Sequence, residues 1–129
     1  MAGTVVVTET RWSGVKKIIF DWTSAAPVAD GNADGVTVYP YEGVIQRLVF
    51  IPATGGDKPT AAYDVRVLDS DGIDVAAGNG ADLSDTVALN CFPHSATKPI
   101  EHIIAHTKLT LEVRNAGNSK KGRVVVYIR

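Results

Sequence analysis

Cysteine is nearly absent from this chain. Its 129 residues hold one, Cys91, so no disulfide can form within it and nothing points to an oxidising compartment. Net charge is as scarce: 13 Lys and Arg oppose 14 Asp and Glu, for a formal charge of -1 and an isoelectric point near 6.3. That balance withholds the long-range attraction used by nucleic-acid binders and polybasic membrane anchors, so neither is an expected partner. Long apolar runs are missing too, and no stretch approaches the roughly 18 to 20 residues of a membrane helix. Residues 1–9 carry no basic region and no sustained apolar segment, so a secretory signal is not expected.

What remains is ordinary globular composition, 45% hydrophobic and 21% charged, which argues against disorder. A chain of this length buries roughly two-thirds of its unfolded surface, enough for a core without staples. One domain over residues 1–129 is expected. Valine is the commonest residue, and the apolar segments are short. Residues 5–12 form a β-branched run of strand length. In residues 16–22, Ile18, Phe20 and Trp22 share one face, and Lys17, Ile19 and Asp21 the other. Residues 44–51 are almost continuously apolar, with only Gln46 and Arg47 polar, and read as a strand covered on both faces. Residues 63–69, 109–114 and 122–129 complete the strand set.

Turn signals separate these runs. Asp71-Gly72 is a strong hairpin signal after the Tyr63 strand, and residues 115–122 form a longer loop between the last two strands. Around Leu83 and Val87 a single helical turn is the most the spacing supports. Short strands between Gly, Asn and Asp turns predict an all-β, single-domain antiparallel β-sandwich, jelly-roll-like or immunoglobulin-like.

Chemistry-bearing residues cluster in two places. Cys91, His94, His102 and His106 are thiolate and imidazole groups of the kind that hold zinc. If the second half is extended, however, His102 and His106 lie about 13 Å apart, too far for one metal. A polar loop with a small buried cysteine explains the same residues. Asp30, Asn32 and Asp34 match the first half of a calcium loop, with Gly35 sixth, but Tyr41 stands where the bidentate Glu belongs. Asp, Asn and Gly are also plain turn formers. No metal and no other cofactor is therefore expected.

Enzyme signatures are poorer. The Gly55-Gly56-Asp57-Lys58 segment lacks the Gly-Lys-Ser/Thr core of a phosphate loop, and Pro59 follows its lysine. No Gly-x-Ser-x-Gly elbow is present, and Asp82 and Asp85 have no apolar surroundings in sequence to perturb them. The chain is not expected to be an enzyme. Partner contact has better candidates: Tyr39 and Tyr41 are amphipathic groups enriched at interfaces, and Arg114, Lys120, Lys121 and Arg123 gather near the last two strands. Aromatics are few there, which argues against a stacking platform for single-stranded nucleic acid. The loop from Thr23 to Gly35 and the N-terminal segment are natural contact arms, and the C-terminal strand, if at an edge, could pair with another subunit.

Three segments carry a family likeness. Thr8-Glu9-Thr10-Arg11 leads into residues 14–23, the middle runs from Tyr63-Asp64-Val65 to Asp71-Gly72, and residues 109–122 close the chain. Together they cover about half of it and resemble small virion proteins of tailed bacteriophages, of the head decoration or cement type. The resemblance implies a non-enzymatic protein bound at capsomer junctions on the outside of the expanded head, which it stabilises. It implies the major capsid protein as partner, a homo-oligomer (dimer or trimer), and a place on the virion surface after assembly in the host cytoplasm. A tail or neck virion protein is the alternative, and a metal-dependent binding module is a third reading from a different class.

Overall fold

The computed structural model describes residues 2–12, 14–27 and 31–129. Among them the chain is all-β, with one short 3-10 turn at Gly55–Asp57 as its only helical element. The strands are β1 (Thr4–Arg11), β2 (Lys16–Thr23), β3 (Ala33–Val36), β4 (Tyr41–Pro52), β5 (Asp64–Leu68), β6 (Leu89–Cys91), β7 (His102–Thr107), β8 (Thr110–Arg114) and β9 (Lys121–Ile128). They form two antiparallel sheets. The larger runs β1-β2-β9-β4, and the far edge of β4 is shared by β7 at its start and β6 further along. The smaller runs β3-β8-β5. The expected antiparallel sandwich is what forms.

Alternation explains why the sheets face each other. Ile18, Phe20 and Trp22 of β2 are buried, as are Val124, Val126 and Ile128 of β9, and Leu48 and Phe50 of β4. Val65 and Val67 of β5 and Leu111 and Val113 of β8 oppose them, and all join one core cluster. Each large side chain so buried contributes about 1.5 to 3 kcal/mol. Gly122 leaves room for the Trp22 indole, since a β-carbon there would lie 2.4 Å from the ring.

The pairings nest. β2 pairs β9, β3 pairs β8 and β4 pairs β7, while β5 meets the returning chain at the bridge between Leu68 and Asp74. The chain therefore behaves as one long hairpin, its tip near Asp71-Gly72, rolled so that alternate pairs fall into opposite sheets. At that tip Gly72 donates to the Asp69 carbonyl at 3.0 Å, the tight turn the Asp-Gly pair predicts. The Asp74 carboxylate then accepts from Val67, Ala76 and Gly78 amides, so the return is a series of turns and not the second strand of a hairpin.

Four other expectations change. β4 is not covered on both faces: Gln46, Arg47 and Ile51 are exposed. Its apolar continuity reflects a bulge, because register shifts between Ile45 and Arg47 and moves the buried set from Ile45 to Leu48 and Phe50. β8 and β9 are no hairpin, since they lie in different sheets and residues 115–120 cross between layers. β9 lies between β2 and β4, so the C-terminal strand has no free edge for another subunit. No helical turn forms between Ala81 and Val87.

Candidate functional site: the open face of the six-stranded sheet

Each sheet turns one face to the core and one outward, and the two outward faces differ in chemistry. On the small sheet, Arg66 of β5 stands opposite Glu112 of β8, which stands opposite Asp34 of β3. Arg66 and Glu112 form an ion pair, Arg114 binds Asp34 at 2.6 Å, and its second nitrogen lies 3.5 Å from Glu112. Such a ladder of alternating charge is well solvated and costly to cover.

The large sheet is otherwise. Register places Ile19 of β2, Val125 of β9 and Val49 of β4 side by side in one row across three strands. Ile19 and Val49 are half-buried, and their neighbours nearly cover Val125. The row beside it contains Val6, Asp21, Arg123 and Ile51, of which Val6 is 65% exposed. Its two charges neutralise each other, with Arg123 Nε 2.6 Å from Asp21. This contact also raises the Arg123 pKa, through the hydrogen bond first and the neighbouring charge second. On the other side Tyr127 is flanked by the Lys17 ammonium, 5.7 Å from the ring centre, and the Arg47 guanidinium, at 5.0 Å. Arg47 also donates to Asn90 on β6.

Among the described residues shallow depressions interrupt this face, and two of them expose apolar residues. One, of ≈ 390 Å³, is lined by Val6, Asp21, Thr23, Ile51, Lys121 and Arg123. The second, of ≈ 400 Å³, holds Val44, Gln46, Phe92, Ile100 and Glu101. Ile103 sits next to Val44 in register and is 68% exposed, and Phe92 is 51% exposed. A β-sheet face with an apolar row, internally paired charges and exposed Ile, Val and Phe has the make-up of a contact surface.

No known protein family, curated protein or solved structure matches this chain.

The residues singled out in the sequence go to other places. Tyr41 is a core residue, 1% exposed, and so is not available to a partner. Its hydroxyl donates to Glu9 at 2.7 Å, and burial, then that bond, push its pKa up. Tyr39 does stay exposed, with the Arg11 guanidinium 3.7 Å above its ring. The basic residues do not form one patch, because the two strands that carry them belong to different sheets. Arg114 serves the ladder on the small sheet, Arg123 is held by Asp21 on the large one, and Lys120 donates to the Gly56 carbonyl at 2.9 Å. Lys121 keeps an exposed place beside the first depression, next to Arg123.

Among the described residues no three His, Cys, Asp or Glu side chains come together as a metal would require. Cys91 ends β6, half-buried, and burial raises its thiol pKa. His94 bonds its own neighbourhood through the Phe92 carbonyl at 2.8 Å. His102 and His106 lie along the extended β7, the arrangement that separates them. Asp34 is engaged by Arg114, and the Asn32 carbonyl accepts from Ala25. Asp30 lies outside the described residues. The proposed arm after Thr23 is tied down at its start: Ser24 donates to Gly117 at 2.6 Å and accepts from the Lys120 amide.

The outer face was missed, although its signal was present. Ile19, Val49 and Val125 occupy positions where a solvated strand face carries polar residues, so each breaks the alternation of its strand. Only the register shows that the three breaks fall in one line.

Proposed function

We propose that this chain is a non-enzymatic structural protein of a bacteriophage virion, a head decoration or cement protein. In this reading it docks through the open face of its six-stranded sheet on the outer surface of the capsid, with the major capsid protein as partner. The contrast between its two outward faces supports the docking: an ion-paired ladder on one sheet, an apolar row on the other. The virion assignment rests on the family resemblance of residues 8–11, 14–23, 63–72 and 109–122.

The nested pairings support the jelly roll over the immunoglobulin-like sandwich, because they describe a rolled long hairpin. Jelly rolls occur in capsid and lectin domains alike, so this is an analogy of fold. A near-neutral net charge lets many copies sit close on one shell, and repetition turns modest contacts into a firm lattice.

The test is binding to purified expanded heads. Saturable binding and a higher rupture temperature of the decorated particles are expected. Ile51→Glu and Ile103→Glu, both at exposed positions, should abolish binding while leaving the melting temperature unchanged. Arg66→Ala on the opposite face should bind as the parent does. Saturable binding to isolated tails, with none to heads, would move the protein to the tail or neck. Binding to neither would end the virion reading.

A further inference from the structure

We infer that β1 is a self-association strand that pairs antiparallel with β1 of a second copy, about a two-fold axis at Val6. Sheet edges in this fold are nearly all guarded. β3 has four residues, with Asp34 among them, and β6 has three. β5 is covered by the returning chain, through Val65 to Gly80 at 2.8 Å and Val75 to Val67 at 2.7 Å. β7 ends in a register shift, with His106 in the left-handed region at φ 47°. β1 is eight residues long, and among the described residues its backbone pairs only with β2.

The ends of β1 are fastened, which defines its free window. Glu9 accepts from the Val38 and Tyr39 amides, and a β-carbon on Gly3 would lie 2.0 Å from the Asn32 carbonyl oxygen. Between them lie Thr4-Val5-Val6-Val7-Thr8. This window contains none of the devices that blunt an edge: no charge, no proline, no glycine and no bulge.

Its order selects the occupant. The window reads the same in both directions, and antiparallel strands related by a two-fold axis run in opposite directions. Val6 therefore meets Val6 of the second copy, Val5 meets Val7, and Thr4 meets Thr8. All are β-branched pairs of the favourable kind, and no like charges oppose. An isologous contact demands this self-complementarity, whereas an unrelated strand does not. Pairing would also join the two large sheets edge to edge, so that their open faces become continuous through the exposed Val6 pair. Five residues per copy make a small interface, so the dimer is expected to be weak and concentration-dependent.

Sedimentation equilibrium over a wide concentration range tests this independently of any shell. The parent should dimerise reversibly. Val6→Lys places two ammonium groups opposite each other and should raise the dimer dissociation constant by roughly tenfold or more. Val6→Glu should do the same, and an equimolar mixture of the two should restore a heterodimer. Val6 is exposed, so both variants should melt as the parent does. In the dimer, amide exchange should slow within residues 4–8. A parent that stays monomeric at millimolar concentration overturns the inference, as does a Val6→Lys variant that dimerises like the parent. Variants that both weaken the dimer but fail to associate when mixed also count against it.

Discussion

Glu9 shows how much one side chain decides here. It is the one acidic residue of β1, and both of its oxygens are occupied by the chain segment that turns into β4. The Val38 amide donates at 2.9 Å, the Tyr39 amide at 3.2 Å and the Tyr41 hydroxyl at 2.7 Å. Arg11, two residues on, covers the Tyr39 ring from the same strand. Removing the carboxylate hands the two exposed amides to water and leaves the partly buried Tyr41 hydroxyl without its acceptor, so Glu9→Ala should cost about 1 to 3 kcal/mol. Tyr41→Phe removes one of the three and should cost about 1 to 2 kcal/mol. Urea denaturation of both variants checks the order, and a larger loss for Tyr41→Phe would overturn the reading that Glu9 anchors all three donors.

At the scale of elements, β4 is the strand on which the large sheet depends. It pairs β9 along one edge and both β7 and β6 along the other. Its bulge lets Ile45 and the Leu48–Phe50 pair reach the same core although their spacing is odd. Deleting Gln46, the extra residue at that shift, makes the spacing from Ile45 to Leu48 even, so a regular ladder with β9 keeps both groups inward. Unfolding should stay cooperative, at a melting temperature shifted by the lost twist of the bulge. Gln46→Ala keeps the residue count and should stay within about 0.5 kcal/mol of the parent. Thermal melts followed by circular dichroism separate these outcomes.

For the whole molecule, the sandwich buries two phenols that can ionise. Burial pushes the Tyr63 pKa from 10.0 up to about 12, and Tyr41 is raised by burial together with the Glu9 bond and charge. A raised folded-state pKa means that the folded chain holds the proton more tightly than the unfolded one. Their contribution is complete below the ordinary tyrosine pKa of about 10 and is lost as pH rises through the folded values. Stability should therefore fall from about pH 10 upward, by roughly 2 to 3 kcal/mol by about pH 12 for Tyr63 alone. Denaturation curves across that range, for the parent and Tyr63→Phe, should show a shallower fall in the variant. Tyrosine absorbance should rise together with unfolding. The same two-layer packing leaves one sheet face with an ion-paired ladder and the other with an apolar row between charged neighbours, which sets how the molecule can be approached.

The class of fold and the position of most long strands follow from local patterning. Alternation in residues 16–22, 63–69 and 109–114 is a local property, and so is the Asp71-Gly72 turn, because backbone geometry and neighbouring side chains suffice to produce them. The short strands β3 and β6 were not legible, since Ala-Asp-Gly-Val and Leu-Asn-Cys have little propensity of their own and exist by pairing with β8 and β4. Tyr41 reads as a contact residue in sequence, since nothing local shows the core around its ring or the Glu9 acceptor thirty-two positions away. The line formed by Ile19, Val125 and Val49 was equally hidden, as was the dispersal of Arg114 and Arg123 to opposite sheets. Which strands become neighbours, and in what register, is settled by the burial of one shared core. Only the tertiary structure could therefore show which face stays open.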